Sequence, residues 1–237
     1  MILLFTDFGW SGPYVGQMHT VLRSTLPQMP IIELMHDAPA FNAKASAYLL
    51  AAMADHWPVG AVVIAVVDPG VGSDRRPLAV HAGGRWLIGP DNGLLIPAAR
   101  ALENAEWFEI TWRPERLSRS FHGRDLFAPV ASQIAKQDRS GLVPLRAPSA
   151  GHDWPLEHDS VIYEDGYGNF ITGLRPRKNK TLTAGKQQLR QLATFSDAVP
   201  GQAFWYENSQ GRTEIAVNRG SAAAILKLSI GDAVSWS

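Results

Sequence analysis

Several acidic and imidazole side chains stand directly after apolar runs or inside glycine-rich turns, where a folded chain presents polar groups to a ligand. Asp7 follows Ile2–Thr6 and precedes Gly9 and Gly12. His36-Asp37 close a second apolar run, and Asp68 follows Ala61–Val67 and opens Pro69-Gly70-Val71-Gly72. Asp91-Asn92 lie in Gly-Pro-Asp-Asn-Gly, and His122 lies in Ser-Phe-His-Gly-Arg-Asp. Carboxylates and imidazoles so placed can orient water and accept its proton, hold sugar hydroxyls or ligate a metal. Each also has a plainer use. Asp7 could cap a turn, Asp68 could shape the Asp-Pro-Gly bend, and His122 could be packed or solvated. Sequence context favours chemistry for these three, whereas Asp91-Asn92-Gly93 reads equally as a tight turn or a ligand contact.

A metal centre would use the same groups: His36, Asp37, Asp68, Asp91, His122 and Asp125 could supply a binuclear hydrolase. No His-x-His or His-Glu-x-x-His spacing supports it. Phosphate-loop, dinucleotide-loop and nucleophile-elbow motifs are missing as well. His19, His56, His81, His152 and His158 have no partner at a telling spacing and read as surface or packing residues. In the C-terminal part, Tyr163-Glu164-Asp165-Gly166-Tyr167-Gly168-Asn169 sets acid, aromatic ring and carboxamide in one loop, and Asn208-Ser209-Gln210-Gly211 forms another. An aromatic face beside an amide suits a purine base; a plain turn explains the glycines equally well.

The elements that must position these groups follow from periodicity. Ile2–Thr6, Ile31–His36 and the β-branched run Ala61–Val67 read as strands, the last covered on both faces. Helices are predicted over Tyr14–Leu26 and from the N-cap Asn42 to near Trp57-Pro58. Pro77–Ala82 and Arg85–Ile88 around Gly83-Gly84 read as a hairpin, and Arg124–Lys136 as a further helix. Ser140–Pro155 lacks periodicity and reads as a linker. Beyond it, short strands at Val161–Glu164, Thr181–Ala184, Phe204–Glu207, Thr213–Val217 and Ala233–Trp236, with an Ala-rich helix at Ser221–Leu226, suggest a small β-barrel or sandwich. The expected fold class is α/β: residues 1–150 a mostly parallel sheet flanked by helices, residues 151–237 a smaller, β-barrel-like domain.

Composition narrows the chemistry. The 237 residues hold no cysteine, so thiol nucleophiles, disulfides and Fe–S clusters are excluded. With 22 basic and 22 acidic residues there is no electrostatic attraction for a polyanion, and nucleic acid is not an expected partner. No stretch approaches the ~18 apolar residues of a membrane span, and Met1–Thr6 lacks the basic flank and length of a signal peptide. A soluble, cytoplasmic protein is expected.

Five motifs in order along the chain carry a more specific resemblance. Thr6-Asp7-Phe8-Gly9 with Tyr14-Val15-Gly16, Val67-Asp68-Pro69-Gly70-Val71-Gly72 with Arg75-Arg76, Gly89-Pro90-Asp91-Asn92-Gly93, Phe121-His122-Gly123-Arg124-Asp125-Leu126-Phe127-Ala128-Pro129 and Tyr167-Gly168-Asn169 resemble the S-adenosyl-L-methionine hydroxide adenosyltransferase family. Gly220-Ser221-Ala222-Ala223 and Gly231-Asp232 complete the pattern. That family hydrolyses S-adenosylmethionine to adenosine and methionine and is related to the fluorinase and chlorinase enzymes. The resemblance implies that Asp68, Arg75 and His122 handle water and that Asp7 holds the ribose diol. It places Phe121, Tyr167 and Asn169 near the nucleoside, and Asp165 and Ser209 at the amino-acid end of methionine. It also implies a homotrimer with sites between the first domain of one subunit and the second of its neighbour, no metal, and no cofactor beyond the substrate itself. Retention of the Asp-Arg-His set, with Gly123 where the halogenating relatives carry a serine, favours water over halide. A halide-using enzyme and a non-catalytic nucleoside- or S-adenosylmethionine-binding protein are the alternatives. Gly173 departs from the pattern, which has asparagine after Ile171-Thr172.

Overall fold

The uninterrupted apolar runs become the central strands of the fold, because only a position covered on both faces tolerates so many β-branched side chains. The computed structural model describes residues 1–237, which divide into two units, Met1–Trp154 and Pro155–Ser237.

The first unit runs β1 (Ile2–Thr6), α1 (Tyr14–Thr25), β2 (Ile31–Met35), α2 (Ala43–Met53), β3 (Val62–Val66), β4 (Pro77–Ala82), β5 (Arg85–Pro90), α3 (Ile96–Leu102), β6 (Glu106–Ile110), α4 (Ala128–Ala135) and β7 (Leu142–Leu145). One seven-stranded sheet results, in the order β2-β1-β3-β5-β4-β6-β7. β1 pairs parallel with β2 and β3, and β3 with β5, whereas β4, β6 and β7 add antiparallel pairs. Alternate residues Ile2, Leu4, Val62 and Ile64 pack on Met18 and Leu22 of α1 and on Val130 and Ile134 of α4. Leu3, Phe5, Val63 and Ala65 point the other way and are buried too. Asn42 caps α2 as predicted, its side chain accepting from Ala45 N at 3.0 Å.

Three readings are corrected. The helix from Asn42 ends at Met53 and continues only as a 3₁₀ turn, Ala54–His56. The helix over Arg124–Lys136 is split into a π-helical turn, Gly123–Phe127, and α4. Ser140–Pro155 is not a free linker: β7 pairs along β6, with Pro144 tolerated because this is an edge strand. Ser149 N donates to Asp91, and Arg100 Nη1 donates to Trp154 O at 2.6 Å. These bonds hold the segment on the first unit.

The second unit runs β8 (His158–Glu164), β9 (Phe170–Gly173), β10 (Leu182–Ala184), β11 (Gln187–Leu189), β12 (Ala203–Glu207), β13 (Thr213–Val217), α5 (Ala222–Leu226) and β14 (Val234–Trp236). It builds two antiparallel sheets, β12-β13-β9-β8 and β11-β10-β14, linked by a bridge between Ser160 and Ala233. Val161, Phe170, Leu182, Trp205, Ile215 and Val234 from both sheets form one core. Ser221 caps α5 by accepting from Ala224 N.

The departure at Gly173 has a local cause. Gly173 pairs with His158 across β8 and β9, and a Cβ on it would lie 2.4 Å from His158 O and 2.6 Å from His158 Cβ. This backbone approach admits no side chain. Gly173→Asn is expected to cost about 1–3 kcal/mol, the usual penalty of overpacking, read as a lower urea midpoint; an unchanged midpoint would show that the strands separate freely here.

Candidate active site

β1 and β3 are neighbours in the parallel part of the sheet, so the residues after their carboxyl ends, Asp7 and Asp68, emerge side by side. Asp7 N donates to Val66 O at 3.3 Å, tying the first loop to the end of β3. The Asp7 carboxylate accepts from Phe41 N at 3.1 Å. After Asp68 the chain turns sharply: Val71 N donates to Asp68 O and Ser73 N to Gly70 O. Gly72 makes this path possible, with φ +82° and a Cβ position 2.5 Å from Arg119 O, where only glycine fits.

The turn returns Arg75 onto Asp68. Arg75 Nε lies 2.9 Å from both carboxylate oxygens, and Nη2 makes a further short bond to Oδ2. The same Nη2 lies 2.8 Å from His122 Nδ1. Arg75 and Asp68 side chains are 8% and 5% exposed, so the pair is shielded from water. A guanidinium has only donors. His122 Nδ1 is therefore the acceptor, and the neutral ring carries its proton on Nε2, an assignment made from the partners. Burial first and the Arg75 charge second push the His122 pKa below the ordinary imidazole value, which favours that neutral state.

His122 reaches this position as the cap residue before the π-helical turn Gly123–Phe127, a form frequent at functional sites. Asp125, within that turn, accepts from Ser118 N at 2.9 Å and from Arg124 Nε at 2.6 Å. It closes the loop before His122, and the Arg124 bond holds its carboxyl below the usual range. Phe121 stands edge-on to Phe8 and Tyr14 at 5.5 and 5.4 Å. Asp7, Phe8, Asp68, Phe121, His122 and Gly123 line one cavity of about 110 Å³. Burial raises the Asp7 pKa, more than the Phe41 bond lowers it.

The second unit holds a separate cavity of about 510 Å³, lined among others by Asp165, Tyr167, Asn169, Phe195, Tyr206 and Glu214. Asp165 Oδ1 accepts from Tyr167 N at 2.9 Å and Asn169 N at 2.8 Å, and Oδ2 accepts from Asn169 Nδ2 at 3.0 Å. The acid thus shapes the loop and fixes the buried amide, leaving the Tyr167 ring 83% exposed. Ser209 is exposed in its turn and is not among the residues lining this cavity. Phe195, Tyr206 and Glu214 were not singled out from sequence. Tyr206 donates to Glu214, and burial together with that carboxylate raises its hydroxyl pKa.

The rival metal donors are engaged separately. Asp91 pairs with Arg76 at 2.9 Å and accepts from Ser149, so it is a structural anchor. His36 is bonded to Thr6 and Glu33, and no group of three or more His, Asp or Glu is close enough to hold a metal ion. His19 does have a partner, Glu33, which its sequence spacing did not reveal.

Models of the SAM hydroxide adenosyltransferase N-terminal and C-terminal domains match residues 2–142 and 159–235. The chain is 36% identical over 245 residues to an (R)-S-adenosyl-L-methionine hydrolase of Salinispora arenicola, spanning 96% of this chain and 94% of that one. A Thermus thermophilus protein of the same name is 36% identical over 252 residues, spanning 97% and 96%. A fluorinase of Nocardia brasiliensis is more distant, 22% identical over 286 residues, spanning 99% and 95%. The crystal structure of an uncharacterized conserved protein from Thermotoga maritima superposes with a TM-score of 0.89 at 27% identity, over 100% of this chain and 99% of that one.

The Arg75–His122 contact makes a titration prediction. His122 should titrate below about 6.5, the ordinary imidazole value, when its ring signals are followed by NMR. In Arg75→Met the midpoint should rise, because the larger of the two depressing charges, Arg75 and Arg113, is gone while burial remains. An unmoved midpoint would mean that the guanidinium does not face the ring in solution.

Proposed function

The chain belongs to the S-adenosylmethionine hydroxide adenosyltransferase family, and from that premise we propose that it hydrolyses S-adenosyl-L-methionine to adenosine and L-methionine by direct attack of water at C5′. The observation that carries this reading is the Asp68–Arg75–His122 set beside the Asp7 cavity. The sulfonium sulfur leaves as a neutral thioether, so no acid is needed at the leaving group. The demand falls on water, which must stand in line with the C5′–S bond; such alignment is worth up to about 7–11 kcal/mol.

In this reading, the oxygen–C5′ bond forms as the C5′–S pair returns to sulfur. The attacking oxygen becomes a protonated alcohol, a strong acid, so a carboxylate is basic enough to take its proton. Asp68 is that acceptor, because the free lone pair of His122 is already occupied by Arg75. His122 then serves through Nε2–H, donating to the water oxygen and orienting it. Asp7 accepts from both ribose hydroxyls, with Phe121 beside the nucleoside. Asp165, Tyr167, Asn169 and Ser209 are the proposed contacts for adenine and for the methionine end, with Tyr206 and Glu214 added by the second cavity. We take the working form to be a cytoplasmic homotrimer in which the first unit of one subunit and the second of its neighbour complete each site. No cofactor enters the scheme.

Incubation with each sulfonium epimer of S-adenosylmethionine in ¹⁸O-water tests the reaction. Label is expected in the adenosine 5′-hydroxyl, undiminished by EDTA. A 5′-halo nucleoside formed with chloride or fluoride would make it a halogenase, and binding without product would make it a sensor. Asp68→Asn and His122→Ala should lower kcat by ~10²–10⁴-fold, the range of general acid–base assistance. Asp7→Ala should mainly raise KM, by the ~1–3 kcal/mol of two ribose donors left unpaired. Equal changes in both parameters for all three variants would overturn this division of roles.

A further inference from the structure

A chain of polar side chains outside the reacting groups ends beside Asp7. His36, at the end of β2, is fully buried. Its Nδ1 lies 2.7 Å from Thr6 Oγ1, and its Nε2 lies 2.5 Å from Glu33 Oε2. Glu33 Oε1 accepts in turn from His19 Nε2 on α1. A carboxylate only accepts, so His36 Nε2 carries a hydrogen and donates it to Glu33. In the tautomer with its hydrogen on Nε2, His36 takes the Thr6 hydroxyl hydrogen at Nδ1, which leaves Thr6 Oγ1 free to accept from Phe8 N at 3.2 Å. Each contact from His19 through Glu33 and His36 to Thr6 then has one donor and one acceptor.

A backbone irregularity makes this possible. Residues three apart on a regular strand face opposite sides. Between β1 and β2, however, Leu4 pairs with Glu33 and Phe5 with Met35, so one residue of β2 is bulged out. The bulge reverses the alternation and brings Glu33 and His36 to the same side.

The chain holds both neighbours of Asp7: Thr6 through its hydroxyl, and Phe8 through its amide. His36 O also accepts from Gly9 N at 2.7 Å, and Thr6 O accepts from Ala38 N at 3.1 Å. The Asp7 carboxylate is itself held by backbone donors, Phe41 N and its own amide. The direction of its carboxylate is therefore set mainly by the backbone around it.

We infer that Thr6, His36 and Glu33 are positioning residues that aim the Asp7 carboxylate at a vicinal diol, and so set selectivity for a ribonucleoside over its 2′-deoxy counterpart. The inference rests on the proposed function, since it takes Asp7 as the ribose contact. None of the three touches the reacting atoms.

The test uses Thr6→Val, which keeps the shape but removes the hydroxyl, and Thr6→Ser, which keeps the hydroxyl. Glu33→Gln is a second probe, because it removes the charge without removing an acceptor for His36. Turnover of S-adenosylmethionine is measured together with calorimetric binding of adenosine and 2′-deoxyadenosine. Thr6→Val is expected to raise KM about tenfold with kcat within about twofold of wild type. It should also weaken adenosine binding far more than 2′-deoxyadenosine binding, collapsing the discrimination between them. Thr6→Ser should restore wild-type behaviour, and Glu33→Gln should give a smaller loss in the same direction. Unchanged discrimination in Thr6→Val, whether activity is intact or lost through kcat alone, overturns the inference. Failure of the wild-type protein to bind adenosine or turn over S-adenosylmethionine overturns the functional reading instead, so the two failures are distinct.

Discussion

The contact around which the candidate site of the first unit is arranged is the shielded ion pair of Arg75 with Asp68, extended by the same guanidinium to His122. Removing two charges from water is costly, and a buried pair seldom contributes net stability over an apolar substitute. Retaining it makes physical sense for what it orders. One planar group sets the rotamer of a carboxylate, the tautomer of an imidazole and the charge between them, all with a single side chain. An ammonium could not do this with comparable geometric definition, because it lacks the rigid fork. The surrounding loops serve that contact: the tight path through Gly72 returns Arg75 toward β3, and Asp125 holds the approach to His122.

The sheet explains why the acidic groups meet. Parallel pairing of β2, β1 and β3 puts the ends of three strands along one edge, so Asp7, His36 and Asp68 follow from one topological decision. They nevertheless have different environments. His36 is buried under the Asp7 loop and bonded inward, whereas Asp7 and Asp68 line the cavity. His122 comes from far along the chain and is admitted by the π-helical turn, which advances the backbone by an extra residue before α4 begins.

Much of this was legible in sequence where the signal was local. Asn42 before an apolar helix, Gly83-Gly84 between two short runs and the β-branched Ala61–Val67 each specify their structure within a few residues, and each appears in the fold. Among the elements the sequence did not reveal, three lack such signals. β6 is a half-exposed strand, Glu-Trp-Phe-Glu-Ile, β7 contains a proline, and β11 is Gln-Gln-Leu; tertiary pairing makes them strands. The second cavity shows the same limit. Asp165, Tyr167 and Asn169 share a loop and were found together, whereas Phe195, Tyr206 and Glu214 come from a 3₁₀ turn and two strands and converge only in space. The link between Glu33 and His36 was hidden for a different reason. Their spacing places them on opposite faces unless the bulge is known.

Charge at the first cavity accounts for why a cationic substrate and an arginine can coexist in the proposed reaction. Asp7 and Asp68 as carboxylates supply two negative charges, Arg75 supplies one positive charge, and His122 is held neutral by burial and by Arg75. The set carries a net charge of minus one, the complement of a single sulfonium. During attack the positive charge leaves sulfur and appears on the incoming oxygen, so stabilisation must follow it across the reacting carbon. A protonated His122 would oppose that movement, since it would place a second cation where the new one develops. The fixed carboxylate favours it without reorganisation, which is the general advantage of groups oriented before the reaction starts, and a neutral imidazole orients the water without adding an opposing charge. Arg75 is tolerated because its charge is spent on Asp68, and its remaining influence keeps the imidazole unprotonated.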